Sequence, residues 1–365
     1  MTITSVPVST RGAQKRGLNN TTRLACIIMV VALLLPLVLD SALVGDFAYF
    51  LLWTFCAIGL AAMWGHGGIL SFGQTAFFGL AGYTYGVMTL NFGDGVLSTW
   101  SGLLFALLMA AAVAAALGYL MFYGGVTGIF IGIVTLSFTL VLETFMSQTA
   151  GPQWAIGSAR LNGFNGMSGM PPLSLPGLDG ELFLLEGNAF YYLIVILLAA
   201  VYWGVRRLLR SNFGLTLASI RENPRRAEML GIDIRRYQLL VFVLGGVLSG
   251  LSGALYTIWG SYITPSSMGL TAAAMPVIWV ATAGRKNIFG TVVMTALMVW
   301  LSQWLAVYGS EYAMILLGFI LLFVVLAAPN GLLPWMAEKA GLLSAKYHAE
   351  RDALQKGVQH KGAQQ

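Results

Sequence analysis

The chain contains ten long segments that are almost free of charged residues, and this pattern restricts the possible fold more than any other feature. A helix that crosses the hydrocarbon core of a bilayer needs about 20 apolar residues, with roughly 17 to 25 tolerated. Segments near that length are 24–39, 47–64, 75–90, 96–122, 126–149, 189–209, 238–260, 268–284, 288–308 and 312–328. We therefore predict an all-α polytopic membrane protein with about ten transmembrane helices.

The composition supports this fold class. Charged residues make up 9% of the 365 residues and hydrophobic residues 58%, whereas a soluble domain carries roughly 25% charged residues. So few charges cannot cover the surface of a water-soluble protein of this size. We interpret 24–39 as an uncleaved first helix, because the residues after it lack the cleavage pattern of a secretory signal. The predicted domains are an arm at 1–22, a transmembrane domain at 23–335 and a polar tail at 336–365.

The basic residues predict the orientation of the spans. Lysine and arginine collect in the short loops on the cytoplasmic side of a membrane. With the N-terminus inside, ten spans place all 20 lysines and arginines in the cytoplasm except Arg160. Both termini and the loop 206–237 are then cytoplasmic, and 151–188 is an exterior loop. The net charge of +6 therefore reports topology and contact with the lipid bilayer. The arginines lack the interleaved aromatic residues of a nucleic-acid site, so no nucleic-acid partner is expected.

A glycine-rich polar stretch and a single glutamate interrupt the apolar segments. Gly68, Ser71 and Gln74 lie in a glycine-rich stretch, and such backbone is stable at membrane depth only when it is buried against protein or faces water. A tight interfacial loop and a broken element that lines a transport path both explain it. Glu143 is the only acidic residue well inside a predicted span; it is either part of a path or a structural acceptor. We take these four residues as the candidate translocation path.

The loop 206–237 has the pattern of two short helices. Asn223 before Pro224 is typical of a helix start with proline at the first position, and Gly231 is placed to end that helix. A plain basic loop on lipid headgroups would account for the charge alone.

Enzymatic chemistry is not indicated. The chain has two cysteines and three histidines, without metal-ligand spacing. It contains no motif for binding ATP or a dinucleotide and no nucleophile elbow. We therefore expect no catalytic residues, metal or cofactor, and any energy must come from another chain.

Five strings in the sequence carry a resemblance to a known family. They are GILSFGQTAFFGLAGY (68–83), GFNGMSGMPPL (163–173), ASIRENPRRAEMLGI (218–232), TAGRKNIFGTV (282–292) and APNGLL (328–333). In this order and spacing they resemble the permease subunits of branched-chain amino acid ABC importers, a family that also includes urea and short-chain amide permeases.

The resemblance implies a helical permease core of the type shared with vitamin B12 and ribose importers, in a bacterial cytoplasmic (inner) membrane. The implied partners are two ABC ATPase subunits, a second homologous permease and an extracytoplasmic solute-binding protein. The stretch 218–232 corresponds to the family's coupling helix, which sits in a cleft of the ATPase. The matching residues are Ala218, Arg221, Glu222, Asn223, Ala227 and Gly231. Arg160 and Asn165, in the exterior loop, are candidates for docking the binding protein.

The sequence therefore favours the permease subunit of an importer for a small polar solute. Branched-chain amino acids are the family default, and urea or short-chain amides are the alternative. An ion-coupled secondary transporter or a channel is less favoured, since such proteins usually place several ionisable groups in the membrane and only Glu143 qualifies here.

Overall fold

The computed structural model describes residues 10–177, 181–307, 309–327, 331, 332 and 335. Within these residues the chain is built from twelve α-helices. They are α1 (Thr10–Leu34), α2 (Ser41–Ala61), α3 (Gln74–Phe92), α4 (Val96–Tyr123), α5 (Ile129–Ser147), α6 (Gly187–Arg210), α7 (Asn212–Glu222), α8 (Pro224–Met229), α9 (Ile234–Gly260), α10 (Leu270–Ala283), α11 (Ile288–Ala306) and α12 (Ser310–Ala327).

Each of the ten predicted apolar segments overlaps one helix, and α7 and α8 form the loop after α6. In the described part of the chain, six helical segments are long and apolar enough to cross a membrane: α2 with the turn after it, α4, α5, α6, α9 and α11. The all-α membrane class is confirmed, whereas ten crossings remain a prediction.

The largest difference from the predicted boundaries is at the N-terminus. Helix α1 begins at Thr10, inside the segment 1–22 that was predicted as an arm, and ends at Leu34. A 3-10 turn, Leu35–Leu37, follows it, because Pro36 has no N–H to continue an α-helix. The apolar segment 24–39 predicts only the part of a helix that could lie in the bilayer, whereas α1 begins in the polar residues before it. The predicted tail at 336–365 lies outside the described residues.

Helices α2 and α9 form the centre of the bundle, and α9 packs against α2, α3 and α4. Gly246 and Gly250 face Ala114 and Ala110 of α4, whose methyl carbons lie 2.5 Å from where a Cβ would stand on each glycine. Small residues let helix backbones approach closely where lipid provides no hydrophobic drive. The four-residue spacing of these two glycines therefore marks a helix contact.

A π-helical turn, Ala62–His66, ends α2, and an irregular loop at 67–73 leads to α3. Gly68 has φ +73°, a conformation that favours glycine. Threonines of α5 bind the loop: Thr135 Oγ1 accepts from the N–H of Phe72 (3.1 Å), and Thr139 Oγ1 donates to the Phe72 carbonyl (3.3 Å). The polar backbone groups of Phe72 are therefore satisfied by the side chains of α5.

The two ends of the bundle differ in character. The basic end carries 206–236 and the Arg285–Lys286 turn. The loop end carries residues 150–177 and 181–186. They include three short antiparallel pairs, one of them with a strand after α9: β1 (Ala155–Ile156) with β2 (Ala159–Arg160), β3 (Met167–Ser168) with β6 (Tyr262–Ile263), and β4 (Ser174–Pro176) with β5 (Leu182–Leu184).

Side chains of α3 and α4 hold the loop end in place. Asn91 Nδ2 donates to the Ile156 carbonyl (2.8 Å), and the Tyr85 hydroxyl donates to the Pro171 carbonyl (2.8 Å). Trp100 Nε1 donates to the Ser174 carbonyl (2.9 Å). The loop is thus a folded layer on the bundle.

Candidate functional site

The segment of α7 and α8 at the basic end has the two-helix form that its sequence predicts. Pro224 is the first residue of α8, and the Asn223 side chain caps this helix by accepting from the N–H of Arg226 (3.0 Å). Gly231, at φ +78°, follows the end of the helix. Ala227 is buried with Ile220 and Ile234 in a small apolar cluster, so the segment is folded as one body against the start of α9.

Arg221 attaches this segment to the centre of the bundle. Its Nη1 donates to the carbonyl oxygen of Gly65, in the π-turn that ends α2. A Cβ on Gly68 would stand 2.8 Å from Arg221 Cγ, so the arginine stem lies directly on this glycine. The sequence assigns Arg221 to ATPase coupling and Gly68 to the path, and the structure brings the two residues into contact.

Glu222 binds the guanidinium group of Arg221. Its Oε1 accepts from Arg221 Nη2 (2.6 Å) and Nε (3.2 Å). Those hydrogen bonds and the positive charge of Arg221 hold the pKa of the Glu222 carboxyl below its usual range. The carboxylate is therefore ionised at neutral pH, and it orients the guanidinium whose remaining nitrogen reaches Gly65. Its exposed position makes this pair an orienting device more than a source of stability.

A third segment, the turn before α11, meets the same place. A Cβ on Gly65 would overlap the Arg285 carbonyl group, so only glycine permits this approach. The Arg285 guanidinium lies 5.8 Å from the centre of the Trp64 ring, and Asn287 caps α11 by accepting from the N–H of Gly290 (3.0 Å). The sequence analysis did not identify the roles of Gly65 and Arg285. Arg285 lies within the string 282–292 and Gly65 just before the string 68–83, but no sequence pattern indicates that these two residues meet.

A cavity of about 700 Å³ lies beside the attachment, between α7–α8, the start of α9 and the turn from α4 to α5. Its charged lining residues are Arg221, Arg235, Arg285, Lys286, Glu222 and Glu228. Arg221 lines this cavity and also binds the π-turn, so the two-helix segment is connected to α2 through this arginine. Such an arrangement can transmit a displacement from the basic end to α2.

The structure separates the four candidate path residues. Gln74 is 1% exposed; its Oε1 accepts from the Ser249 hydroxyl of α9, and its Nε2 donates to Met63 Sδ (3.5 Å). Ser71 is fully buried and accepts from the N–H of Gly73 (3.1 Å). Glu143 is half-buried on α5, one turn beyond Thr139 towards the loop end. Ser71 and Gln74 are thus buried, whereas Gly68 is exposed on the cavity at the basic end and Glu143 lies apart from all three.

Both docking candidates lie on the surface of the loop end. Arg160 is in β2 and Asn165 in the 3-10 turn Gly163–Asn165, and each is exposed. Phe164 beside them is 76% exposed. An exposed cation and an exposed apolar ring therefore both lie on this folded layer, and such residues are suited to contact with another protein.

Comparison with known proteins decides the family. The model of the family described as "Branched-chain amino acid transport system / permease component" matches residues 43–325. The chain belongs to this permease family. As a member, it is a multi-pass membrane protein and a transport subunit, not an enzyme. The matched range includes α7, α8 and the contact between Arg221 and Gly65, and it does not include α1.

Several curated permeases are similar over most of the chain. The high-affinity branched-chain amino acid transport system permease protein LivM of Escherichia coli is 26% identical, over 84% of this chain and 73% of LivM. LivM of Salmonella typhimurium is 24% identical over 89% and 77%. The nucleoside ABC transporter permease protein NupC of Lactococcus lactis is 27% identical over 67% and 75%. No solved structure gives a significant match.

Proposed function

We propose that this permease is the membrane-spanning subunit of an ABC importer for branched-chain amino acids. An external binding protein delivers the solute, a second homologous permease completes the pathway, and two separate ATPase subunits supply the energy. The observation that carries the proposal is the attachment of α7–α8 to the π-turn of α2 through Arg221 and Gly65. It provides a mechanical link between a surface segment and the central helix.

The mechanism follows from this link. Closure of the ATPases on ATP displaces the coupling residues (Ala218, Arg221, Glu222, Asn223, Ala227 and Gly231) as one body. Because Arg221 holds the Gly65 carbonyl, the displacement reaches α2, which packs against α9, α6 and α11. Packed helices move as rigid bodies between discrete arrangements, so the bundle rocks and exposes the path on alternate sides. Gly68, Ser71, Gln74 and Glu143 remain our candidates for residues along that path.

The proposal fixes an orientation, in which 206–237 and both termini face the cytoplasm and 151–188 faces the exterior of a bacterial inner membrane. Met229 is 85% exposed at the basic end and Phe164 is 76% exposed at the loop end. In a Cys26→Ser background, we expect a membrane-impermeant maleimide to label Phe164→Cys in right-side-out vesicles and Met229→Cys only after permeabilisation. Cys56 is buried and does not interfere. The reverse labelling pattern would contradict the orientation and the coupling role together.

Transport by the assembled complex tests the function itself. The permease is reconstituted into proteoliposomes with its companion permease, both ATPases and the binding protein. We expect uptake of radiolabelled L-leucine that requires ATP and the binding protein and is competed by L-isoleucine and L-valine. Uptake of urea in place of leucine would show that the substrate is an amide. Uptake of uridine would show that it is a nucleoside, the class for which NupC is named. Leucine uptake that follows an ion gradient without ATP would refute the importer.

A further inference from the structure

A second cavity, distinct from the one at the basic end, lies near the loop end of the bundle. Its volume is about 300 Å³, and it is lined by residues of α2, α9, α10 and α11 and of the 3-10 turn Pro265–Met268. None of the candidate path residues named from the sequence lines it.

One wall of this cavity is aromatic. Tyr49 and Trp53, four residues apart on α2, lie beside Tyr256 of α9 and Trp279 of α10. The Trp53 ring centre is 5.8 Å from that of Tyr256 and 5.5 Å from that of Trp279. Trp53 is fixed from behind, because it stacks on Phe78 with centres 4.6 Å apart and planes 4° apart. Such a wall suits an apolar side chain, and its ring faces attract an ammonium group.

Trp279 supplies an unused hydrogen-bond donor. The residue is 4% exposed, and its Nε1 has no hydrogen-bond partner among the described residues. An indole nitrogen only donates, and a buried donor without an acceptor costs about 1 to 3 kcal/mol. The Trp279 side chain lines the cavity, while its nitrogen is covered by neighbouring atoms. A ligand with an acceptor would satisfy this nitrogen once the ring turns towards the cavity.

The remaining lining is polar without formal charge. Ser266 and Ser267 of the turn, Thr264 just before it, and Ser302 and Gln303 of α11 contribute hydroxyl and amide groups. Pro276 of α10 has no N–H to donate to the carbonyl of Ala272, a lining residue. Donors and acceptors are thus both present. A bare ion or a phosphate would find no opposite charge here, and an uncompensated buried charge is costly.

We propose that this cavity is a transient binding site for a zwitterionic amino acid with an apolar side chain. The carboxylate accepts from Trp279 Nε1, the ammonium lies against the aromatic faces and the Ala272 carbonyl, and the aliphatic side chain fills the space beside Trp53. Because a transport site has to release its solute as readily as it takes it up, its affinity is weak. The inference rests on the proposed function for its solute, and it adds a place in this chain where that solute stops.

Protection from thiol labelling tests the site directly. Gln303→Cys lines the cavity, and Val307→Cys is an exposed control on the same helix; both are made in a Cys26→Ser background. In the assembled complex in nanodiscs, without ATP or binding protein, L-leucine at about 20 mM is expected to slow labelling of Gln303→Cys about fivefold if the Kd is near 5 mM. Labelling of Val307→Cys stays unchanged.

Two further pairs of variants assign the effect to the named groups. Trp279→Phe removes the donor and is expected to abolish protection, whereas Trp259→Phe, in the same aromatic cluster but outside the cavity lining, retains it. Ala272→Phe fills the cavity and abolishes protection, and Ala274→Phe on the same helix does not. Absence of protection in the parent protein, or equal protection by glucose, overturns the site even if leucine is transported. Protection without leucine transport removes the proposed function and leaves the site standing.

Discussion

Arg221→Ala is expected to reduce ATP-driven uptake at least tenfold while the assembled complex continues to hydrolyse ATP. The substitution removes the donor to the Gly65 carbonyl and the stem that contacts Gly68. A hydrogen bond from a charged donor is worth about 1.5 to 3 kcal/mol, and about 1.4 kcal/mol already corresponds to a tenfold change. Without it, α7–α8 can move with the ATPases and leave α2 behind. Uptake and ATP hydrolysis are measured on the same proteoliposomes, so the ratio of the two reports coupling.

Two further variants distinguish the hydrogen bond between Arg221 and Gly65 from the charges of Arg221 and Glu222. Glu222→Gln keeps the donation from Arg221 to Gly65 and is expected to retain most of the uptake. Arg221→Lys keeps the charge but replaces the planar fork by a single ammonium, so we expect partial coupling. If Arg221→Ala releases the ATPases in a pull-down experiment, the arginine binds the ATPase and the mechanical link is wrong. Unchanged uptake would contradict the link as well.

The sequence predicts the parts of this protein that depend on local chemistry. The class follows from the lengths of the apolar segments, and the start and end of α8 follow from Asn223, Pro224 and Gly231, whose backbone preferences act within a few residues. The four-residue spacing of Gly246 and Gly250 indicates a contact surface for another helix, because residues four apart lie on the same face of α9.

Contacts between distant segments are beyond such rules. Gly65 meets Arg285 across 220 positions of the chain, and only the assembled bundle shows that the glycine is required. Trp279 is read from sequence as one more apolar ring of a span; its unused N–H becomes evident only when its neighbours are known. Glu143 shows the opposite case. A carboxylate inside an apolar segment is conspicuous in the sequence, whereas at its half-buried position on α5 it has no hydrogen-bond or ion-pair partner among the described residues.

The second large effect that we expect is on stability, from Gly253→Ala. A Cβ at this position of α9 would overlap the carbonyl group and Cα of Phe78 in α3. These are backbone atoms, which cannot rotate away, so α9 and α3 have to separate. Separation also disturbs the nearby contacts of Gly246 and Gly250 with α4. Overpacking of a well-packed core costs about 1 to 3 kcal/mol, and we expect the apparent Tm in detergent to fall by about 5 °C.

Gly204→Ala in α6 is the matched control for this prediction. The same methyl group is added within a long helix, but at Gly204 no heavy atom lies within 4 Å of the new Cβ. Replacing glycine by alanine inside a helix is by itself favourable by about 1 kcal/mol, so this variant should unfold at the same temperature or slightly higher. The two substitutions are chemically identical and differ only in what the methyl group meets. Equal unfolding temperatures for both would mean that α3 and α9 do not approach as closely as their glycine suggests, and that the central packing of the bundle needs revision.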